Sequence, residues 1–226
     1  MSNAPASKGF VKAMIHNSLR LAAFALGSAI LLVFADNLTK DQIAHQRLES
    51  RRQLLNQVLP PSLHDNDLPG AGFQLDPVNT DFSQISLLGL SAPSSGYRAN
   101  LKGTASGVVL PLETSEGYGG PIVLMIGIAA DGRITGVRVV EHSETPGLGS
   151  QIDIEQSQWI DGFNQHSLAD TPAGKWRVKL DGGNFDQFVG ATITPRAVVG
   201  AVNGALLFFE ANKSVLLTTA DQQRAL

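Results

Sequence analysis

The chain has 226 residues, a net charge of −3 and a charged fraction of 16%. This length is enough for one domain of ordinary size plus an appendage, and the low charge without a basic stripe argues against nucleic acid as a partner. The absence of cysteine excludes disulfides, thiolate chemistry and cysteine-ligated iron–sulfur clusters. The five histidines are scattered without metal-ligand spacing, so the sequence predicts no protein metal site.

The first element in chain order is an uncharged run at residues 21–35, LAAFALGSAILLVFA. It is shorter than the roughly 20 residues that span a bilayer, but flanking residues can lengthen it. Basic residues precede it: Lys8, Lys12 and Arg20. We therefore expect residues 21–37 to form a single transmembrane anchor, with residues 1–20 in the cytoplasm and the remainder outside. A cleaved signal peptide is the alternative, because residues 33–35 suit a small-residue cleavage site.

Residues 38–60 are polar and charged, with a sparse apolar stripe of Ile43, Leu48, Leu55 and Leu59. This pattern predicts a helical stalk with a solvated face, which Pro60 and Pro61 end. Residues 61–96 are rich in proline, glycine, serine and aspartate. They predict a loop-rich connection with room for one strand.

Residues 97–226 are predicted to form the main domain. The β-branched and apolar segments 104–112 and 121–130 predict strands, and Asp131-Gly132 predicts a tight hairpin turn into a strand at 134–140. A short helix at 158–164 and a strand at 176–180 are expected to follow. Strands and helices mix without a regular βαβ rhythm, so the predicted class is α+β.

The last predicted element is a helix that follows the small, hydroxyl-bearing stretch GATIT at residues 190–194. We expect Thr194 to be its N-cap and Pro195 its first residue. Apolar residues at helical spacing extend it to about Phe209 with one buried face: Val198, Val202, Ala205, Leu206 and Phe209. The helix N-terminus directs free N–H groups and partial positive charge towards Thr192, which makes a ready phosphate site.

Three glycine-rich loops indicate a ligand cleft: residues 115–122, 141–152 and 179–187. Tyr118 in the first loop is suited to stack on a ring system. The second loop lacks the third glycine of a dinucleotide fingerprint, but its backbone amides can approach a flat ligand closely. His142 and Glu144 are candidates for an acid–base pair. The alternative interpretation of the three loops is that they are ordinary turns, and that of His142 and Glu144 is an exposed pair in a loop.

The segments GYGGPI, EHSETPGLG, DGGNFDQF and GATITPRAVV, in this order, resemble the G subunits of the Rnf ion-translocating electron-transport complex (RnfG, also called RsxG). More distantly, they resemble the C subunit of the sodium-pumping NADH:quinone reductase. The resemblance covers nearly the whole chain and is densest over residues 115–149 and 179–203. It implies covalent FMN, attached through its phosphate to the threonine that ends a D-x-x-(S/T)-G-A-T motif. Here the motif begins at Asp186, Val189 departs from it, and the acceptor is Thr192.

The resemblance and the second loop together imply that residues 144–148 lie against the flavin ring. Backbone N–H groups of Thr145, Gly147 or Leu148 are then expected to bond the pyrimidine oxygens. The residues predicted to bind the cofactor are Tyr118, His142, Glu144, Thr145, Gly147, Leu148, Asp186, Gly190, Ala191, Thr192 and Thr194.

The function that the resemblance implies is that of an electron carrier with one redox centre, the flavin. The protein would position this flavin and tune its reduction potential. The implied partners are the A, B, C, D and E subunits of the complex, the membrane, and a flavin transferase that uses FAD. At the level of the complex, ferredoxin and NAD exchange electrons while other subunits translocate ions. The implied location is the bacterial inner membrane, with the C-terminal domain in the periplasm. A periplasmic ligand-binding module and a membrane-tethered structural adaptor are the alternatives.

Overall fold

The computed structural model describes residues 8–79 and 81–218. The chain divides into two compact units, residues 1–50 and residues 51–226. Parts of three predicted segments lie outside the described residues: residues 1–7 of the cytoplasmic N-terminus, residue 80 of the loop-rich connection and residues 219–226 of the main domain.

The first unit consists of most of helix α1, Lys8–Val58. Its apolar run exposes large side chains such as Leu21, Phe24 and Leu31. Among the described residues, α1 is the helix that is long and apolar enough to cross a membrane. It runs without a break through the predicted anchor and stalk, and it ends just before the Leu59-Pro60 bond, where proline disfavours helical geometry in the preceding residue.

The second unit is built on a five-stranded antiparallel sheet with strands in sequence order. The strands are β1, Gly72–Leu75; β2, Ser94–Leu101; β3, Thr104–Thr114; β4, Ile122–Ala129; and β5, Ile134–Glu141. The strands expected at 104–112, 121–130 and 134–140 are confirmed as β3, β4 and β5. Gly132, with a φ of 93°, lies in the predicted turn between β4 and β5. The α+β class and the long N-terminal apolar helix are therefore confirmed.

Helix α2, Ile193–Leu216, forms the main core with the sheet. Alternation along β3 divides its side chains between two cores, as expected for a strand buried on both faces. Val108, Leu110 and Leu112 belong to the core that contains α2, whereas Val109 belongs to a second core with Leu55. The apolar face predicted for α2 is buried in full: Val198, Val202, Ala205, Leu206 and Phe209.

The prediction of a strand at residues 176–180 is wrong. Two short 3-10 turns, Ala173–Lys175 and Lys179–Asp181, occupy this region, and Val178 forms only an isolated bridge with Phe185. The second turn ends at Gly182, which has the left-handed φ of 81°. Trp176, one of the residues that suggested a strand, instead belongs to an aromatic cluster. Its ring centroid lies 5.2 Å from that of Phe185. The helix predicted at 158–164 is a 3-10 segment, Gln158–Phe163.

Candidate cofactor site

A cavity of about 370 Å³ lies where three segments of the second unit meet. These segments are the loop before β4, the loop after β5 and the start of α2. The volume falls within the range of roughly 300–1,000 Å³ that is typical of small-molecule sites. The lining residues are Tyr118, Glu144, Thr145, Leu148, Gly149, Gly190, Ala191, Thr192, Ile193 and Thr194.

Most of the residues predicted from the sequence line this cavity, but His142, Gly147 and Asp186 do not. His142 supports the backbone at Glu144, and Asp186 forms an ion pair with Lys179 at 2.7 Å. Gly147, with a φ of 75°, donates its N–H to Ser150 Oγ at 2.9 Å. Gly149 and Ile193 line the cavity although sequence reasoning did not single them out.

The amide groups of the second loop are mostly used within that loop. Gly147 N–H is bonded to Ser150 Oγ, and Leu148 N–H donates to the Thr145 carbonyl at 3.1 Å. Of the three amides expected to bond the flavin ring, two therefore have partners inside the loop. The third, at Thr145, belongs to a residue that lines the cavity.

Thr192 is the N-cap residue of α2, with φ −87° and ψ −25°, and its hydroxyl makes no capping hydrogen bond. It is half-buried in the cavity wall. The turn before it requires glycine at Gly190, where φ is 82°. A bridge between Phe188 and Ala191 closes that turn, and Val189 at its tip is 95% exposed. The structure thus presents a hydroxyl at the positive end of a 24-residue helix.

Thr194 is not the N-cap, so that prediction is wrong. The helix begins at Ile193, two residues before the predicted Pro195, and the Thr194 side chain is fully buried. Its hydroxyl donates to Glu144 Oε2 at 2.5 Å. The physical reason is that a nearby carboxylate is a stronger partner for a hydroxyl than a backbone N–H. Pro195 still lies in the first turn, where its missing N–H costs nothing.

Glu144 lines the cavity and is buried, with 5% of its surface exposed. Its second oxygen, Oε1, accepts the N–H of Gly119 at 2.9 Å. The carboxylate therefore connects the loop before β4 to the first turn of α2. The interpretation of Glu144 as part of an exposed loop pair does not hold, because both of its oxygens have donors inside the protein.

Two glycines of the predicted ligand loops leave room for this carboxylate, and a third leaves room for the backbone just before Glu144. A Cβ at Gly117 would lie 2.7 Å from Glu144 Oε1, and one at Gly149 would collide with Oε2. A Cβ at Gly119 would collide with the carbonyl of Ser143. At these positions, the absence of a side chain permits close packing within the protein.

His142 holds the backbone of Glu144 in place. Its Nδ1 accepts the Glu144 N–H at 2.9 Å, and its Nε2 lies 2.8 Å from Asp153 Oδ2. Since Nδ1 is an acceptor, the ring proton is on Nε2 and is donated to Asp153.

Polar contacts also hold the segment before Thr192. Trp159 Nε1 donates to the Asp186 carbonyl at 2.8 Å, and the Trp159 ring packs at 5.0 Å on Phe188. Arg196 makes two hydrogen bonds to Asp181, at 2.6 and 2.8 Å. These bonds lower the pKa of the Asp181 carboxyl and raise that of the Arg196 guanidinium.

These residues fit a flavin nucleotide. Tyr118, Leu148 and Ile193 supply apolar wall for a ring system, and the N-terminus of α2 suits a phosphate. Among residues 8–79 and 81–218, no cluster of three or more metal-ligating side chains occurs.

The site and the family matches define an FMN-binding domain: the family model of that description matches residues 117–207, and a model of the RnfG N-terminal region matches residues 1–58. The G subunit of the ion-translocating oxidoreductase complex of Pseudomonas aeruginosa (strain UCBPP-PA14) is 45% identical over 206 residues, 91% of this chain and 93% of that protein. Its counterpart in Aliivibrio fischeri (strain MJ11) is 42% identical over 205 residues, covering 91% of this chain and 94% of that protein. The chain belongs to the family of G subunits of ion-translocating oxidoreductase complexes.

The crystal structure of Shewanella oneidensis NqrC is a more distant match. It is 22% identical, has a TM-score of 0.46, and covers 67% of this chain and 74% of the NqrC chain.

Proposed function

We propose that this chain carries one FMN, joined through its phosphate to the Thr192 hydroxyl, and passes electrons within a membrane-bound ion-translocating oxidoreductase complex. One observation carries the proposal. Thr192 lines the cavity at the N-terminus of α2, and its hydroxyl is not used as a cap. Thr194, the other hydroxyl in the same wall, is buried and bonded to Glu144.

FMN, when bound, supplies the ability to take up and release electrons one at a time. The chain binds and orients it. The positive end of α2 stabilises a singly charged phosphodiester by roughly 0.3–1 kcal/mol if it is exposed. Gly190 and Ala191 leave space beside the acceptor, and Tyr118 and Leu148 provide apolar surface for the ring.

Attachment needs a separate enzyme, because a threonine hydroxyl is a poor nucleophile and needs an activating base. A flavin transferase would join the Thr192 oxygen to the FMN phosphate of FAD. AMP is the leaving group, and the hydroxyl proton is released to the transferase. The exposed turn at Val189, which precedes the acceptor, gives such an enzyme access.

The proposed topology is that of a single-pass protein of the bacterial inner membrane. Residues 1–20 are cytoplasmic, residues 21–37 are the anchor and residues 38–60 are the stalk. The periplasmic FMN domain contains residues 97–226 together with β1 of the segment 61–96, because β1 pairs with β2 in the same sheet. The basic residues before the apolar run support this orientation. N-terminal sequencing of membrane-isolated protein tests it, since a mature chain that starts at Asp36 would indicate a cleaved signal peptide.

The proposed partners are the A, B, C, D and E subunits of the complex, which together exchange electrons between ferredoxin and NAD. Within this chain, the sequence has no dinucleotide fingerprint and no cysteine. It therefore acts as one carrier in the assembly and does not perform the overall reaction alone.

The decisive experiment is the intact mass of the purified full-length chain, produced with and without a flavin transferase. We expect the mass of one FMN-phosphoryl group only when the transferase is present, and a yellow colour that survives acid precipitation. Colour that is released by acid would favour a ligand-binding module. A chain without flavin under both conditions would favour a structural adaptor.

A further inference from the structure

The Glu144 carboxylate is buried, and the two groups that donate to it are uncharged. Across residues 8–79 and 81–218, no lysine, arginine or histidine side chain forms an ion pair with it. Burial of a carboxylate is costly unless donors compensate it. Here the hydroxyl of Thr194 and the N–H of Gly119 do so. An apolar side chain of similar size would avoid this cost if packing were the only requirement.

We propose that Glu144 is a positioning residue of the cofactor site, and that its negative charge lowers the reduction potential of the bound flavin. This inference rests on the proposed function. Glu144 extends from the loop after β5. One of its oxygens is bonded to the loop before β4, and the other to the first turn of α2. The three segments that line the cavity therefore meet at one side chain.

The surrounding residues fix the position of this carboxylate. Gly117 and Gly149 approach it so closely that neither has room for a Cβ. His142 accepts the Glu144 N–H, and the imidazole ring is itself bonded to Asp153. The arrangement leaves the carboxylate little freedom to turn away from the cavity.

The effect on potential follows from electrostatics. A charge at a buried cavity wall acts through a low effective dielectric, whereas water and salt screen an exposed charge. Reduction adds negative charge to the site, so a fixed carboxylate opposes it. Replacing Glu144 by glutamine removes the charge but keeps the shape and an oxygen that can accept the Gly119 N–H.

The test measures the reduction potential of flavinylated full-length protein for the wild type, Glu144→Gln and Glu116→Gln. Glu116 is a matched control because it is an exposed carboxylate in the same loop as Gly119 and does not line the cavity. We expect a higher potential and an altered visible circular dichroism spectrum in Glu144→Gln, and no change in Glu116→Gln.

A second variant, Thr194→Val, removes one donor to the carboxylate but keeps its charge. We expect altered visible circular dichroism, because the start of α2 is released, together with a potential that does not rise. This variant also tests the inference if Glu144→Gln does not fold, because a raised potential or an unchanged spectrum in Thr194→Val would contradict it.

The outcomes separate the two proposals. A wild-type chain without the FMN adduct would overturn the proposed function and this inference with it. A normal adduct, with equal potentials in the wild type, Glu144→Gln and Glu116→Gln, would overturn this inference alone. Reduced thermal stability of Glu144→Gln with an unchanged potential would likewise mean that the residue only supports the fold.

Discussion

Thr192 and Thr194 are two residues apart at the start of α2, yet their hydroxyls have different surroundings. Thr194 is fully buried and bonded to Glu144, whereas Thr192 lines the cavity and makes no capping bond. Thr192 is partly exposed, so we expect an enzyme to reach its hydroxyl more readily than that of Thr194. The two positions therefore form a matched pair for mutagenesis.

We expect Thr192→Ala to yield a folded, colourless protein. Its stability should change by less than about 0.5 kcal/mol, because no hydrogen bond of a cap is lost. Thr192→Ser keeps a hydroxyl and should accept FMN. Mass spectrometry of a tryptic digest checks both results.

Thr194→Ala should remain flavinylated but lose about 1–3 kcal/mol of stability, because Glu144 Oε2 is left without the hydroxyl that bonds it. Thermal or denaturant unfolding measures this loss. An adduct that persists in Thr192→Ala, or that disappears only in Thr194→Ala, would contradict the assignment of the acceptor.

Gly119→Ala should destabilise the protein by about 1–3 kcal/mol, because the new Cβ would collide with the Ser143 carbonyl next to Glu144. Gly200→Ala is the control. Gly200 lies exposed inside α2 with open space around it, so alanine there should stabilise the protein by roughly 0.5–1 kcal/mol. Urea unfolding of both variants compares them, and equal effects would show that close packing at Gly119 is unimportant.

The Asp181–Arg196 pair should make stability depend on pH. Hydrogen bonds from Arg196 lower the pKa of Asp181 in the folded state. The pair therefore stabilises the folded protein at pH values above the pKa of an aspartate in the unfolded chain, which is about 4. This stabilisation is lost as the pH falls through the lower pKa of Asp181 in the folded protein. We expect the stability difference between the wild type and Asp181→Asn to be constant near neutral pH and to shrink below pH ~4. A difference that grows on acidification would be evidence against this pairing.

Trp159→Phe should lower both stability and FMN occupancy. The variant loses the hydrogen bond from the indole N–H to the Asp186 carbonyl, which lowers the free energy of unfolding by about 1 kcal/mol. It also loosens the packing on Phe188, which lies just before Thr192. Trp176→Phe is the matched control, because Trp176 Nε1 donates to the Thr171 carbonyl away from the cavity. Both variants should be less stable, but only Trp159→Phe should reduce the fraction of adduct seen by intact mass. Equal FMN occupancy in the two variants would show that Trp159 does not help to position Thr192.

Local patterns in the sequence predict the elements whose burial is regular. The β-branched and apolar composition of β3 and the helical spacing of Val198, Val202 and Phe209 match the residues that the structure buries. The segment at 176–180 has strand-like composition but no partner strand. Tertiary packing of Trp176 on Phe185 overrides that composition.

The candidate site could be predicted in part. Its residue types follow from the glycine loops and the motif that ends at Thr192. The bond between Thr194 and Glu144 joins residues 50 positions apart, so no local rule for helix caps reveals it. For the same reason, sequence reasoning attributes the glycines to a ligand, although Gly117 and Gly149 pack against that carboxylate.

The order of the strands bears on when the site forms during folding. Each strand pairs only with strands adjacent to it in sequence, so the sheet can assemble through local contacts of the kind that form quickly. As the chain emerges N-terminus first, β1 to β5 can pair before residues 190–194 are available. The cavity is complete only when α2 docks and Thr194 reaches Glu144. We therefore expect the proposed attachment of the cofactor to follow the folding of the sheet.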